Sequence, residues 1–139
     1  MALSPLKPRS SAASAAPPAP RPSRTYALDF TSGQLENRLI DGEEALRQAI
    51  EKALRTARFR YLACDWSYGS ELDRLIGEDL TPELMRSEVP RVIREALLAD
   101  DRLLDVRDFV LDSQGDRLSA RFAVVHKDGL LQQEVTLLV

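Results

Sequence analysis

Apolar residues recur with different rhythms along the chain, and each rhythm predicts an element. Thr25-Tyr-Ala-Leu-Asp-Phe30 alternates weakly and runs into Thr31-Ser-Gly-Gln34, a cluster of turn formers. Leu35 to Ile40 reads as a second short strand, so this stretch predicts a β-hairpin. From Asp41 the period lengthens. Leu46, Ala49, Ile50, Ala53, Leu54 and Ala57 form one stripe at helical spacing, with Arg47, Glu51, Lys52 and Arg55 off it. Asp41 is placed to accept a first-turn amide, Glu44 occupies the capping-box position, and Glu43 favours the positive end of the dipole. The helix is expected to end near Arg58, with Arg55, Arg58 and Arg60 at its negative end.

Arg60 to Leu72 breaks that rhythm. It holds the only Trp (Trp66), the only Cys (Cys64) and two of the three Tyr, Tyr61 and Tyr68. The reading is an extended aromatic segment that turns at Tyr68-Gly69 into a short helix, Ser70 to Ile76, capped by Ser70 and stopped by Gly77. The simplest role for its aromatics is filling a core or an interface. A second main helix follows, with Val89, Val92, Ile93, Ala96 and Leu97 as its apolar face. Ser87 is the expected cap, which puts Pro90 in the first turn where no amide bond is lost. A start at Pro82 after Thr81 is the other possibility, and Pro90 would then kink the helix.

Beyond Asp100-Asp-Arg102 the period falls to two. Leu104 to Asp112 predicts a strand with Val106, Asp108 and Val110 on one face. Ser113-Gln-Gly-Asp116 is a hairpin turn. In Arg117 to His126, Leu118, Ala120, Phe122 and Val124 point one way. Lys127-Asp-Gly129 is a second tight turn with Gly placed for positive φ, and Leu130 to Val139 is the last strand. The sum is an α+β chain: an N-terminal β-hairpin, two main helices with a short helix between them, and a C-terminal three-stranded antiparallel sheet. That last strand carries a single charge. As an edge it would be a template for strand addition by a partner; as a central strand it would be buried.

Composition divides the chain in two. Residues 1–24 are Ala/Pro/Ser-rich, hold six of the eight prolines, and carry Lys7, Arg9, Arg21 and Arg24 with no acid. Their four positive charges stand against a chain total of −3, which leaves −7 on residues 25–139. Such a segment buries too little apolar surface to offset its ordering entropy. It is expected to be a disordered tether, or an arm that orders along a partner, ahead of a domain over 25–139. The prolines disfavour the amphipathic helix of an organellar leader, and no apolar core of a secretory signal is present. No apolar run approaches the roughly 20 residues of a membrane span. The modest net charge gives no field favouring nucleic acid.

The standard chemistries find few residues. One Cys and one His exclude an internal disulfide and the multi-cysteine or multi-histidine metal sites, so neither metal nor cofactor is expected. The glycines are isolated and make no phosphate loop. His126, in a strand, is an unpromising base, and Asp65 beside Cys64 disfavours a thiolate. Asp65 and Glu71 flank the aromatic stretch as a conceivable glycosidase pair, although capping and salt bridging explain them more simply. Asp100-Asp-Arg102 lies between helix and sheet. A solvated loop is the default there, and a bidentate pair from Arg102 to a neighbouring chain's carboxylate is the functional alternative.

One resemblance covers residues 25–130. Its elements run in order: Thr25-Tyr-Ala-Leu-Asp-Phe30 with Gly33; Ile40-Asp-Gly-Glu-Glu-Ala-Leu-Arg-Gln-Ala-Ile50; Leu54-Arg-Thr-Ala-Arg58; Arg60-Tyr-Leu with Trp66-Ser-Tyr-Gly-Ser-Glu-Leu72; Leu75-Ile-Gly77; Ser87-Glu88; Ile93-Arg-Glu-Ala-Leu97; Asp100-Asp-Arg102; and Val106-Arg-Asp-Phe109. In their joint order and spacing they resemble the baseplate-wedge or sheath-initiator proteins of contractile phage tails, in the branch found in PBSX-type prophages. The resemblance implies a non-enzymatic virion component, assembled in the bacterial cytoplasm and present in multiple copies in a sixfold baseplate around the inner tube. Its sheet would offer a strand platform from which the first sheath ring is built.

Partners implied are the sheath protein, other wedge proteins, and inner tube or hub proteins, with no nucleic acid or membrane. The wider family carries a Glu-Pro-Arg motif after its last helix, used within the wedge core. Asp100-Asp-Arg102 keeps the acid and the Arg there and loses the Pro. The expected partner-binding set is therefore Asp100, Asp101 and Arg102 together with Leu130, Leu131, Val135, Leu137, Leu138 and Val139. Some members of the wider family are labelled lysozyme-like, which keeps a peptidoglycan glycosidase as the alternative. A free-standing adaptor is the third class.

Overall fold

The computed structural model describes residues 23–138. The expectations for the arm over residues 1–22 and for Val139 fall outside them. Two antiparallel sheets flank a helical middle. Strands β1 (Thr25–Asp29) and β2 (Gln34–Ile40) form the hairpin, followed by helices α1 (Gly42–Arg55), α2 (Leu72–Ile76) and α3 (Pro82–Leu98). Strands β3 (Leu103–Gln114), β4 (Arg117–His126) and β5 (Gly129–Leu138) then pair in the order β3-β4-β5. This is the α+β arrangement that the pattern predicts.

The helices begin where local chemistry starts them. Asp41 accepts the Gly42 amide at 2.7 Å. Glu44, at the capping-box position, bonds Arg38 at 2.8 Å. α1 stops at Arg55, three residues early, because Thr56 turns extended while its amide and hydroxyl both donate to the Lys52 carbonyl. α3 starts at Pro82, not at Ser87. Thr81 Oγ1 accepts the Leu84 amide at 3.3 Å, and Pro82 at the first helical position loses no bond. Ser87 lies inside the helix, bonded back to the Leu84 carbonyl at 3.0 Å, and Pro90 is an interior proline.

The Arg60–Leu72 stretch also departs from expectation. It is a run of turns, not an extended segment. Ser70 caps no helix. Its amide donates to the Thr56 carbonyl (2.9 Å), its carbonyl accepts the Arg58 amide (3.0 Å), and its buried hydroxyl donates to the Leu54 carbonyl (2.8 Å). This residue staples a loop over 57–70 shut against the end of α1, and α2 begins only at Leu72.

One buried cluster joins the three helices to the inner face of the large sheet. On β4, Leu118, Ala120, Phe122 and Val124 are all buried, as the alternation requires. β3 differs. Val106 is buried, but the register with β4 shifts between Arg107 and Val110, and Asp108 takes φ +58°. This bulge flips the parity of the strand. Phe109 and Leu111 pack on the core, the Phe109 ring 5.5 Å from that of Phe122, while Val110 turns outward and is 55% exposed. The β1–β2 hairpin lies apart, over a small cluster of Ala27, Ile40 and Ala45.

Candidate assembly interface

The large sheet has two edges, and they differ. β3 is blunted by its bulge, by Asp105, Arg107 and Asp108, and by Arg94 of α3. The Arg94 guanidinium donates to the Val106 carbonyl and lies 3.3 Å from Asp105. β5 pairs with β4 without a break over ten residue pairs, from Arg117↔Leu138 to His126↔Gly129. Of the two arrangements open to the last strand, the edge is the one found.

The register says which backbone groups of β5 are unused by β4. The two-residue turn Lys127–Asp128 makes His126↔Gly129 the closing hydrogen-bonded pair, and such pairs recur at every second residue. Leu131, Gln133, Val135 and Leu137 therefore bond to β4. Leu130, Gln132, Glu134, Thr136 and Leu138 point their amides and carbonyls away from it. One of those carbonyls, that of Gln132, accepts Arg47 of α1 at 2.9 Å.

The same parity sorts the side chains. Leu131 and Leu137 are buried in the core and Val135 packs against it. Leu130 and Leu138 are 49% and 61% exposed. Alongside the strand runs a groove of about 490 Å³. Glu51, Leu54 and Arg55 of α1 and Leu72, Asp73 and Ile76 of α2 form one wall, and residues 133–137 form the other.

Asp100, Asp101 and Arg102 cluster at the end of α3. Within the chain, Arg102 closes a fork on Asp100, with Nη2 to Oδ2 at 2.6 Å and Nε to Oδ1 at 3.0 Å. Its backbone amide donates to Asp100 Oδ1 at 3.0 Å. The bond to Asp100 raises the Arg102 pKa, so this guanidinium stays charged throughout the working range. Asp101 beside it is exposed.

The two carboxylates of the glycosidase reading are held in local structure. Asp65 accepts the Trp66 amide at 2.7 Å and the Ser67 hydroxyl at 3.2 Å. Glu71 lies 3.8 Å from Arg74. No group of three or more His, Cys, Asp or Glu placed to hold a metal occurs among the described residues, and no described helix is long and apolar enough to cross a membrane.

Three features escape the periodicity. Trp66 is 80% exposed, so it fills no core. It meets Phe59 with ring centroids 5.9 Å apart, on a loop where Tyr61 and Leu62 are also exposed. Arg58, which the sequence places among cations serving the α1 dipole, folds under that loop. It reaches the Ser67 carbonyl at 3.4 Å and Glu95 at 4.0 Å, and its buried Nε has no partner. Arg47 and Arg94, each covering one sheet edge, look in sequence like solvated helix residues. Their contacts lie 85 and 12 residues away.

Comparison with known proteins supplies a family. A family model described as contractile injection system sheath initiator matches residues 24–129. The chain is 41% identical over 113 residues to the phage-like element PBSX protein XkdS of Bacillus subtilis (strain 168), across 81% of this chain and 80% of that relative.

Proposed function

This chain belongs to the sheath-initiator family of contractile injection systems, and we propose that it nucleates the tail sheath by lending β5 as the strand onto which the first sheath ring adds. It is a structural component of a contractile, phage-like tail, and works with the sheath and other tail parts. The finer placement is proposed: the baseplate, around the inner tube, in copies that follow the sixfold symmetry, with wedge and hub proteins as neighbours.

The observation that carries the strand reading is the asymmetry of the two edges. A strand adding to a sheet needs a regular row of outward amides and carbonyls and room beside it. β5 has an unbroken register and a flanking groove, whereas β3 has a bulge and charges. Main-chain bonds from the alternate residues Leu130 to Leu138 supply affinity. The groove receives alternate side chains of the incoming strand, and Leu130 and Leu138 extend the contact on the opposite face. Arg47 must release the Gln132 carbonyl where that strand passes. The corner at Asp101 and Arg102 faces a neighbouring wedge chain, with Asp101 offering the exposed carboxylate. Asp65 and Glu71 take part in no hydrolysis.

Deleting residues 130–139 is a poor test, because it removes Leu131 and Leu137 from the core. A single proline separates folding from assembly. Thr136→Pro removes an outward amide that β4 does not use. The variant should fold with nearly the melting temperature of the parent, yet fail to start sheath when mixed with sheath subunit and inner tube under the electron microscope. Val135→Pro removes an amide bonded to β4 and should unfold the sheet. Sheath rings nucleated normally by a folded Thr136→Pro would reject strand addition along β5. Cell-wall clearing by purified protein would reject the non-enzymatic assignment.

A further inference from the structure

A second groove lies apart from the β5 edge and reaches the start of β3 at Leu103. It runs between α1 and the end of α3, measures about 480 Å³, and is lined by Ala49, Ile50 and Ala53 of α1, by Ala96 and Leu97 of α3, and by Ala99 just beyond it. Ile50 and Leu97 point into the core, and the four alanines fill little of the space above them, so the groove stays open. Tyr68 adds an aromatic face, and Asp65, Asp100, Asp101 and Arg102 complete its lining. At the Asp101–Arg102 end it meets a depression of about 350 Å³ beside the β4–β5 turn, which shares those two residues and is lined also by Ser23. The described chain thus begins at the doorway of the groove. The residues just before Ser23 are Pro17-Pro-Ala-Pro-Arg-Pro22.

We propose that Pro17–Pro22 of the same chain docks in this groove, with Arg21 against the Asp100–Asp101 end and the proline rings along the alanines and Tyr68. Three observations converge on this occupant. Arg21 is two residues from Ser23, a backbone reach of roughly 7 Å, so its guanidinium arrives at the doorway without strain. Charge is complementary: the lining holds three carboxylates and one guanidinium, and residues 1–24 hold four cations and no acid. The shape also fits. A polyproline segment is narrow, loses little conformational entropy on docking, and favours grooves that offer an aromatic face. Docked, the arm would share the Asp100–Arg102 corner with any neighbouring chain that approaches it.

Paramagnetic broadening in the full-length chain tests the contact. A nitroxide is attached at Ser14→Cys, just ahead of the segment, in a Cys64→Ser background, and amide signals are compared with the label oxidised and reduced. The amides of Ala53, Tyr68 and Ala96 should lose more than half their intensity, while Gly33 in the hairpin turn keeps its signal. Arg21→Glu should abolish the loss. A mixture of isotope-labelled chain without nitroxide and unlabelled chain with it should show no broadening in the groove. Broadening confined to residues next to Ser23, or transferred in the mixture, or unchanged by Arg21→Glu, would overturn docking in the same chain.

Discussion

Gly69 is where the loop after α1 folds back most tightly on the backbone. Its φ is +99°, and a Cβ built there would lie 2.7 Å from the Thr56 carbonyl oxygen and 3.1 Å from the Arg58 amide. Those atoms belong to the hydrogen-bonded strap that Ser70 makes with residues 56 and 58, so they cannot move aside cheaply. Gly69→Ala should therefore cost about 2–4 kcal/mol, combining backbone strain with the clash. Gly33 has positive φ too, but open space around it, and its alanine variant should cost only about 1 kcal/mol. Urea midpoints of the two variants make the comparison. Asp29 is decisive in another way. Its carboxylate accepts the Ser32 hydroxyl at 2.7 Å and the Thr31 amide at 2.9 Å, and these bonds, the Ser32 one foremost, lower its pKa. A lowered folded-state value means that the contribution is complete above the ordinary aspartate value of 3.8 and is lost as pH falls through the folded value. Asp29→Asn should flatten that acid limb for the hairpin-turn amides in hydrogen exchange and leave it unchanged elsewhere.

Among the elements, those set by local rhythm and caps were legible in advance and those set by tertiary closure were not. The stripe of α1, the inward face of β4 and both turns of the large sheet follow from spacing and from glycine placement. The loop over 57–70 does not, because Ser70 reads as a cap when its real partners, Leu54, Thr56 and Arg58, sit more than ten residues back. The bulge at Asp108 has no marker in sequence, so Val110 is placed on one face with Val106, yet Val106 is buried and Val110 proves exposed. Much the same holds for the interface. The apolar run of β5 is visible, but its register with β4 is needed to separate buried Leu131 and Leu137 from exposed Leu130 and Leu138. Helix α3 illustrates a choice that local rules left open. Starting at Pro82 gains the Thr81 cap and an added turn in which Met85 is buried, and these outweigh one interior proline. Pro90 cannot donate to the Arg86 carbonyl, a defect worth up to about 3 kcal/mol. Pro90→Ala should accordingly raise stability by about 1 kcal/mol or more, read as a later urea midpoint with unchanged slope. A loss of stability would mean that the ring of Pro90 contributes more by packing than its missing amide costs.

The whole molecule divides its stability unequally. The helices and the large sheet share one core, in which Phe122, Ile93, Val89 and Leu131 are almost completely buried, and they should open only together. The β1–β2 hairpin is different. It has a two-stranded ladder with a register shift, mostly exposed side chains on β2, and a separate buried cluster of only Ala27, Ile40 and Ala45. Two strands alone are marginal in water. Three polar contacts among the described residues tie this pair to α1: Arg38 bonds Glu44, Arg55 lies over the Phe30 ring, and Gln48 bridges β1, its side-chain oxygen accepting the Leu28 amide at 2.7 Å and its nitrogen donating to the Tyr26 carbonyl at 2.9 Å. One side chain thereby replaces the missing neighbour of β1. Gln48→Ala removes both bonds and little apolar contact. The amides of residues 25–40 should then exchange faster by about tenfold or more, equivalent to roughly 1.4 kcal/mol of local opening energy, while those of β4 keep their protection and the global urea midpoint barely moves. Equal loss of protection in β4 would show instead that the hairpin unfolds only with the body. The division bears on assembly, because a hairpin that opens alone, with Tyr26, Leu35 and Leu39 exposed on it, can adjust to a neighbour without disturbing the β5 edge.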